Sequence, residues 1–410
     1  MENELIQKYA EFAVKIGTNP QKGQTLIINA PVHCAFFARA CAEAAYKLTE
    51  VREVVVLYND EQLSRLKLEH TDIAVLEDVK PWTIRNRLDY LESKGGACFL
   101  HIIADDPEIY KGLDMEKIDR ATTATRKASL PIRDYTMTDK VQWSIVAIPS
   151  EAWAQKVFPH DADAVEKLWQ AIFDVCRVTG GDPIGAWEKH IAKMTACRDK
   201  LNTLQLDSVR LQSANGTDLT IGLAEDAVWE GAQSLTPEGY KFIANIPTEE
   251  VFTAPHREGT NGVVYGTKPY VYQGNLITDF CVTFKDGKVT DYDAKENKAL
   301  LGKLLDTDEG ARHIGEIALV PASSPINQKN ILFYDTLFDE NAACHIAFGD
   351  GYPGTVKGGT VMSKEQLLAK GVNSSLIHED VMVGAADMQI TGKTKDGREV
   401  VIFENGEWAL

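Results

Sequence analysis

The feature that most constrains the fold is an alternation of short apolar runs with amphipathic helical patterns over the first 180 residues. Four apolar runs have the length and composition of strands: residues 25–29, 53–57, 98–104 and 143–148. The Ala-rich stretch 34–47 lies between the first two runs and has helical spacing. Strands that alternate with helices favour a mostly parallel sheet covered on both faces. We therefore expect an α/β domain over residues 1–180.

The pattern changes in the second half of the chain. Residues 181–205 have helical character and are predicted to link two domains. Two runs flank an Asn215-Gly216 turn and predict a β-hairpin. Further strands are predicted at residues 263–272, 276–284, 288–292, 383–391 and 399–404. Residues 206–410 are therefore expected to form an α+β domain that is rich in antiparallel strands.

Composition excludes several classes of protein. The net charge is −17, and no Lys/Arg cluster is present, which argues against nucleic-acid binding. No apolar run approaches the roughly 18 residues that a membrane helix needs, and the acidic N-terminus is unlike a secretory signal. The seven cysteines are scattered and form no CxxC pair, which favours a reducing cytoplasm.

His345 is the first candidate for chemistry. If residues 343–348 are extended, Cys344, Ile346 and Phe348 line one face and His345 lies on the other face between two alanines. The small neighbours leave space around the imidazole, as a ligand site requires. The alternative is a hydrogen-bonded, partly buried histidine with no ligand.

Three carboxylates and a second imidazole occur in similar contexts. His378 and Asp380 share one face of a strand, although they could also be a local pair at a strand end. Glu316 begins an apolar run, where burial of a carboxylate costs free energy unless the group is paired or bound to a metal. The alternative is that Glu316 marks the start of the strand and is still exposed to water. Glu250 lies between two prolines, and Glu249 could equally be the inward-facing residue.

Together these groups supply the ligands of a pair of divalent metal ions. The separations along the chain are so large that only the fold could assemble such a site. There is no HExxH motif, which excludes the helical single-zinc site. Residues 349–354 match G-x-G-x-x-G, but the proline and glycines that follow oppose the helix of a dinucleotide site.

Several stretches resemble one known family. Pro-Thr-Glu-Glu250-Val-Phe-Thr-Ala-Pro, Phe338-Asp-Glu-Asn-Ala-Ala-Cys-His345-Ile-Ala-Phe-Gly-Asp-Gly-Tyr352-Pro and Ile-His378-Glu-Asp380 are similar to motifs of the aminopeptidase T / aminopeptidase S family of metallopeptidases, the thermophilic aminopeptidases. The motifs agree in order over residues 245–387. The first half of the chain agrees in its α/β pattern alone.

The resemblance implies an exopeptidase that releases N-terminal residues from peptides with two divalent ions, zinc or cobalt. The implied metal ligands, carried over by position, are Glu250, Glu316, His345, His378 and Asp380. It also implies a homodimer whose active sites face an internal cavity, and it places Tyr352 at the metal site.

Three residues are assigned catalytic roles in this hypothesis. Glu316 is expected to bridge the ions, Tyr352 to bind metal or donate to the oxyanion, and Glu249 to carry a proton. The alternative function is a non-catalytic α/β protein that binds a small molecule and holds a structural metal. Structural zinc sites usually have four protein ligands, often cysteines, so five oxygen and nitrogen ligands favour an open site.

Overall fold

The structure is a computed structural model that describes residues 2–272 and 275–410. Two compact units are present. The first contains the residues up to Glu188 together with Gln233–Pro247, and the second contains Lys189–Ala232 and Thr248–Leu410. The chain therefore returns to the first unit after it has begun the second.

The α-helices of the described residues are α1 Glu2–Phe12, α2 Ala35–Leu48, α3 Glu61–His70, α4 Ile73–Glu77, α5 Trp82–Leu91, α6 Met115–Ala128, α7 Leu130–Met137, α8 Glu151–Val157, α9 Ala164–Val175, α10 Pro183–Leu204, α11 Lys298–Leu305, α12 Pro325–Lys329, α13 Thr336–Asp339 and α14 Lys364–Ala369. A π-helical turn spans Ala13–Thr18. Short 3-10 turns span Val32–Cys34, Gly310–Arg312, Glu340–Ala342, Pro353–Thr355 and Gly359–Val361.

The strands are β1 Thr25–Pro31, β2 Glu53–Asn59, β3 Ala97–Ile103, β4 Trp143–Ala147, β5 Leu206–Gln212, β6 Asp218–Leu223, β7 Glu230–Gly231, β8 Ser234–Leu235, β9 Lys241–Phe242, β10 Asn245–Ile246, β11 Val251–Thr253, β12 Pro255–Tyr265, β13 Tyr270–Tyr272, β14 Asn275–Ile277, β15 Cys281–Lys285, β16 Lys288–Asp293, β17 Ile314–Leu319, β18 His345–Gly349, β19 His378–Met382, β20 Gln389–Thr394, β21 Glu399–Glu404 and β22 Glu407–Trp408.

The first unit is built on a five-stranded sheet with the order β10-β4-β3-β1-β2. Every pair in this sheet is parallel. One face carries an apolar cluster that includes Ile27, Phe99 and Leu91 of α5. The opposite face carries Ser144, and the π-helical turn approaches it so closely that a side chain at Gly17 would lie 2.8 Å from the Ser144 hydroxyl. The predicted α/β class of this half is confirmed.

Buried aromatic rings join the helices of the first unit. The ring centroid of Tyr9 lies 5.4 Å from that of Phe37 and 6.0 Å from that of Phe173. Phe12 stacks on Trp187 at 5.0 Å. Aromatic pairs at such separations add to the free energy gained by burying their surface. This cluster therefore holds α1, α2, α9 and the start of α10 together.

The described part of the second unit contains two large antiparallel sheets and the antiparallel pair β13-β14. The smaller of the two large sheets has the order β19-β18-β17-β11-β7, and the larger has the order β16-β15-β12-β6-β5-β20-β21-β22. Their facing sides share one apolar core, which includes Val282 of the larger sheet and Ile317 and Ile346 of the smaller sheet. Phe284 and Phe348 stack across the two sheets with centroids 6.3 Å apart. The predicted antiparallel character of this half is confirmed.

Three of the predicted strands were wrong in extent. Residues 276–284 fall in two separate strands, β14 and β15. Residues 263–272 form two strands, because Thr267 leaves the sheet and its backbone N–H donates to the carbonyl of Met382. Gly266 permits this break, since a Cβ there would lie 2.2 Å from the Phe280 ring. Residues 383–388, the first part of the predicted strand 383–391, are not a strand. They connect β19, which ends at Met382, to β20, which begins at Gln389.

Among the described residues, no helix is both long enough and apolar enough to span a bilayer.

Truncation of a buried ring tests the aromatic cluster. Phe37→Ala is expected to lower the free energy of unfolding by about 3–5 kcal/mol, because it removes a fully buried ring that the neighbouring rings cannot replace. The neighbouring Phe36 is 44% exposed on the same helix, and Phe36→Ala should cost less than about 1 kcal/mol. Urea denaturation measures both, and equal losses would contradict this account of the core.

Candidate metal centre

The register of three neighbouring strands brings the predicted ligands together. Glu316 of β17 lies opposite Ala347 of β18, and Ala347 lies opposite Asp380 of β19. One step along the same face, His345 of β18 lies opposite Met382. Ala347 thus lies between Glu316 and Asp380 on the neighbouring strands. Because its side chain is small, the two carboxylates face a space that a larger side chain would fill.

The two faces of this small sheet have different characters. Ile317, Ile346 and Val381 point into the apolar core of the second unit. Glu316, His345 and the other candidate residues alternate with them and occupy the opposite face. Strand alternation therefore separates the packing residues from the polar residues.

His345 is surrounded by carboxylates. Its Nε2 lies 3.1 Å from Glu250 Oε2, 3.7 Å from Glu316 Oε1 and 3.9 Å from Asp380 Oδ1. One donor atom each from Glu250, Glu316 and His345 lie within 4.8 Å of one another. Two ligands that each sit about 2.0–2.2 Å from one ion are about 3.3–3.6 Å apart in tetrahedral geometry. The observed separations fit ligands that share a cation.

A second imidazole approaches the other side of Glu316. His378 Nε2 lies 3.6 Å from Glu316 Oε2 and 3.6 Å from Asp380 Oδ1. The two oxygens of Glu316 thus face two different imidazoles. The five predicted ligands therefore form one cluster.

Backbone carbonyls orient both imidazoles. His345 Nδ1 lies 3.1 Å from the carbonyl oxygen of Ala343, and His378 Nδ1 lies 2.7 Å from that of Asp350. A carbonyl can only accept, so each Nδ1 carries a hydrogen and donates it. In the neutral imidazole, Nε2 then presents a lone pair toward the carboxylates, which is the arrangement of metal-binding histidines.

A tight turn supplies the carbonyl of Asp350. A side chain at Gly315 would lie 2.1 Å from that oxygen, so the glycine allows the turn to pack against β17. Asn373 Nδ2 donates to Gly349 O at 2.6 Å, and Gly351 N–H donates to Asn373 O. The glycine-rich stretch that resembles a dinucleotide fingerprint serves here as a turn beside His378, and a 3-10 turn rather than an α-helix follows it.

Tyr352 borders the cluster. Its ring centroid lies 4.7 Å from that of His378 and 6.1 Å from that of Phe252. Burial, together with the charges of Glu316 and Asp380, raises the pKa of Tyr352 well above its usual value. The hydroxyl group therefore stays protonated and can donate a hydrogen bond.

A fourth carboxylate, that of Glu340, interacts electrostatically with the site and was missed by sequence reasoning. Burial and the charges of Asp380 and Glu250 raise the pKa of Glu340 well above its usual value. Glu340 begins a 3-10 turn that leads toward β18. It lies five residues before His345 inside a motif already quoted, but neither strand nor helix periodicity predicts where its side chain points.

The electrostatics of the cluster show that a cation would fit. Burial raises the pKa of Glu316 to about 7, although His345 opposes the shift. Burial disfavours charge on the imidazoles, yet adjacent carboxylates raise the pKa of His345 well above its usual value and that of His378 to about 10. Within the described residues, the buried Glu250 Oε2 and Asp380 Oδ1 have no hydrogen-bond partner. Oxygen and imidazole donors of this kind suit a divalent ion.

Glu249 contacts a different imidazole, that of His190. Its Oε2 lies 3.6 Å from His190 Nε2, and its backbone N–H donates to Asn341 Oδ1 at 2.8 Å. Glu250, the next residue, faces His345. The structure thus resolves which of the two adjacent glutamates approaches the imidazole cluster.

Comparison with known proteins identifies relatives along the whole chain. The model of the thermophilic metalloprotease (M29) family matches residues 2–408. Aminopeptidase 2 of Geobacillus stearothermophilus is 44% identical over 407 residues, which are 99% of this chain and 98% of the relative. Aminopeptidase AmpS of Bacillus subtilis (strain 168) is 41% identical over 410 residues, 100% of this chain and 99% of the relative.

A solved structure shows the same fold. Wild-type AmpT from Thermus thermophilus matches with a TM-score of 0.92 and 36% sequence identity, and the match covers 100% of both chains. A metalloprotease family implies a divalent metal, for which Glu250, Glu316 and His345 form a candidate site. The resemblance drawn from the sequence motifs is confirmed, and the chain belongs to the thermophilic metalloprotease (M29) family.

Proposed function

We propose that this protein releases N-terminal amino acids from peptides by using two divalent metal ions, zinc or cobalt. The proposed ligands are Glu250, Glu316, His345, His378 and Asp380, joined by Glu340. The observation that carries the proposal is the position of Glu316. Its Oε1 lies 3.7 Å from His345 Nε2, and its Oε2 lies 3.6 Å from His378 Nε2. A carboxylate in that position is suited to bridge two ions.

The enzyme class is the part of this proposal with direct support. The family and the names of relatives that are 37–44% identical over nearly the full chain confirm the prediction of a metallo-aminopeptidase. The number of ions, their identity and the role of each ligand are the proposal. The alternative of a non-catalytic binding protein with a structural metal is not favoured by the same relatives.

Charge balance supports two ions rather than one. Glu250, Glu316, Glu340 and Asp380 interact electrostatically in a buried cluster. With all four ionised and both imidazoles neutral, the four negative charges equal the charge of two divalent cations. A single divalent ion would require two additional protons. Burying uncompensated charge is expensive, so the composition of the site favours two ions.

The reaction follows from what the side chains can do around such ions. When bound, a divalent pair supplies a water with a pKa near 7 and polarises the scissile carbonyl. Tyr352, whose pKa is raised by burial and by the neighbouring carboxylates, is proposed to donate a hydrogen bond to the oxyanion that develops. Glu249 is proposed to carry the proton to the leaving amine, with His190 as its partner 3.6 Å away.

We also propose a cellular location and an assembly for the enzyme. Seven free cysteines suit a reducing cytoplasm, where we propose the protein acts. A homodimer whose active sites face an internal cavity is proposed from the family resemblance. Light scattering of the purified protein measures the mass, and a mass of one chain would contradict the dimer.

The basic test is hydrolysis of an aminoacyl chromogenic amide by metal-loaded and chelated protein. Activity that is lost with chelator and restored by zinc or cobalt is expected. Folded protein with no activity in either state would support the non-catalytic alternative. An N-acetylated substrate is the control for exopeptidase action, and it should not be cleaved.

Replacing the proposed bridging ligand should abolish turnover. Glu316→Gln keeps the shape of the side chain but removes the charge, so kcat should fall by more than about 100-fold. Circular dichroism should be unchanged. Glu399→Gln, on an exposed edge of β21, is the control that should keep normal activity. A near-normal rate in Glu316→Gln would remove this residue from the mechanism.

Metal content tests the imidazole ligands. His345→Ala should lower the bound metal, measured by mass spectrometry after dialysis, from two ions per chain to one or fewer. His160 is exposed, and His160→Ala should leave the content at two. Unchanged stoichiometry in His345→Ala would exclude His345 as a ligand.

The hydroxyl group of Tyr352 is expected to act in the transition state. Tyr352→Phe keeps the ring beside His378 and should therefore lower kcat by about 10²–10³-fold with little change in KM or metal content. Steady-state kinetics with metal analysis measures all three. A rise in KM with unchanged kcat would show a role in ground-state binding instead.

A further inference from the structure

The first sheet has a topological switch point between β1 and β3. The chain passes from β1 to the neighbouring β2 on one side, and then to β3 on the other side of β1. In open parallel sheets, crossovers that diverge in this way leave a crevice outside the carboxyl ends of the two strands, where ligands bind. The metal centre lies in the other unit and uses none of these strands.

Polar side chains meet at this point. Asn29 of β1 and His101 of β3 are direct partners in the parallel register. By alternation they share a face with Ile27 and Phe99, which belong to the apolar cluster under α5. In the same row of the sheet, Asn29 is flanked by Leu57 of β2 and His101 is flanked by Ile145 of β4, so the polar pair interrupts an apolar face near the carboxyl ends of the two central strands.

The side chains of Asn29 and His101 carry N–H groups that donate no hydrogen bond to the described residues. Asn29 Nδ2 is buried and, in the ranges that the structure describes, makes no hydrogen bond. Burial and the nearby charge of Arg87 lower the pKa of His101 to about 4, so the imidazole is neutral and carries one N–H donor. Donors left without partners in a desolvated place carry a free-energy penalty that a ligand can relieve.

Arg87 adds an uncompensated charge. It lies on α5, is partly buried, and burial lowers the pKa of its guanidinium. No carboxylate of the described residues forms an ion pair with it, whereas Arg85 on the same helix pairs with Asp89 at 2.6 Å and Glu92 at 2.7 Å. A desolvated guanidinium that has no acidic partner attracts an anion.

We propose that Asn29, His101 and Arg87 form a binding site for an oxyanion, the carboxylate or phosphate group of a small molecule, at the carboxyl edge of the first sheet. The guanidinium supplies a planar fork for two oxygens, and the amide and imidazole supply single donors. No covalent step is involved. The three residues belong to the first unit, and none of them is a proposed ligand of the metal ions.

Titration of full-length, metal-loaded protein with inorganic phosphate and, separately, with succinate tests the site. Isothermal calorimetry on wild type, Arg87→Met and Arg85→Met is the first measurement. Binding to the metal ions is common to all three proteins, so the comparison isolates this site. Affinity should fall at least about 10-fold in Arg87→Met for one anion or both, as expected for loss of a charge-assisted pair, and should be unchanged in Arg85→Met.

An NMR measurement at His101 tests whether the anion binds at this site, and so excludes an indirect effect of the Arg87→Met substitution on affinity. The histidine NMR resonance of His101, assigned by its absence in His101→Gln, should move on addition of the anion in wild type and in Arg85→Met. It should not move in Arg87→Met or Asn29→Ala. A larger response to phosphate identifies a phosphorylated ligand, and a larger response to succinate identifies a carboxylate. A His101 signal that stays fixed with both anions, or equal affinity in Arg87→Met, would overturn the proposal.

Discussion

The register of β17, β18 and β19 is the constraint on which the metal centre depends. Because side chains alternate along a strand, a shift of one residue would turn Glu316 and Asp380 into the apolar core and bring Ile317 and Val381 to the polar face. Packing of the apolar face against the larger sheet opposes that shift. The core of the second unit therefore fixes the geometry of the site.

The same arrangement links stability to metal. Four carboxylates in one buried cluster repel one another, and the raised pKa values of Glu316 and Glu340 express that repulsion together with the loss of water. Cations remove the repulsion, so their binding free energy adds to the stability of the folded state. The carbonyls of Ala343 and Asp350 contribute by fixing the imidazoles before any ion arrives.

The alternation of side chains along a strand was sufficient to predict which face of the sheet a ligand occupies. His345 between two alanines, and His378 two residues before Asp380, could be assigned to one face from the sequence, and the structure places them together. Glu340 was missed because it lies in a 3-10 turn, which has no face that periodicity can reveal. Residues 263–272 were predicted to form one strand, but the strand is interrupted at Thr267. The interruption depends on a hydrogen bond between Thr267 and Met382, which are distant in sequence, so the local pattern could not predict it.

The short strand β10 has a consequence for synthesis on the ribosome. It pairs with β4, about a hundred residues earlier in the chain, and residues that belong to the second unit are translated between them. Until residue 247 has emerged, the edge of β4 is an unpaired row of backbone donors and acceptors, which is a surface prone to aggregation. A nascent chain must therefore shield that edge, by a chaperone or by transient pairing, while the middle of the protein is still being made.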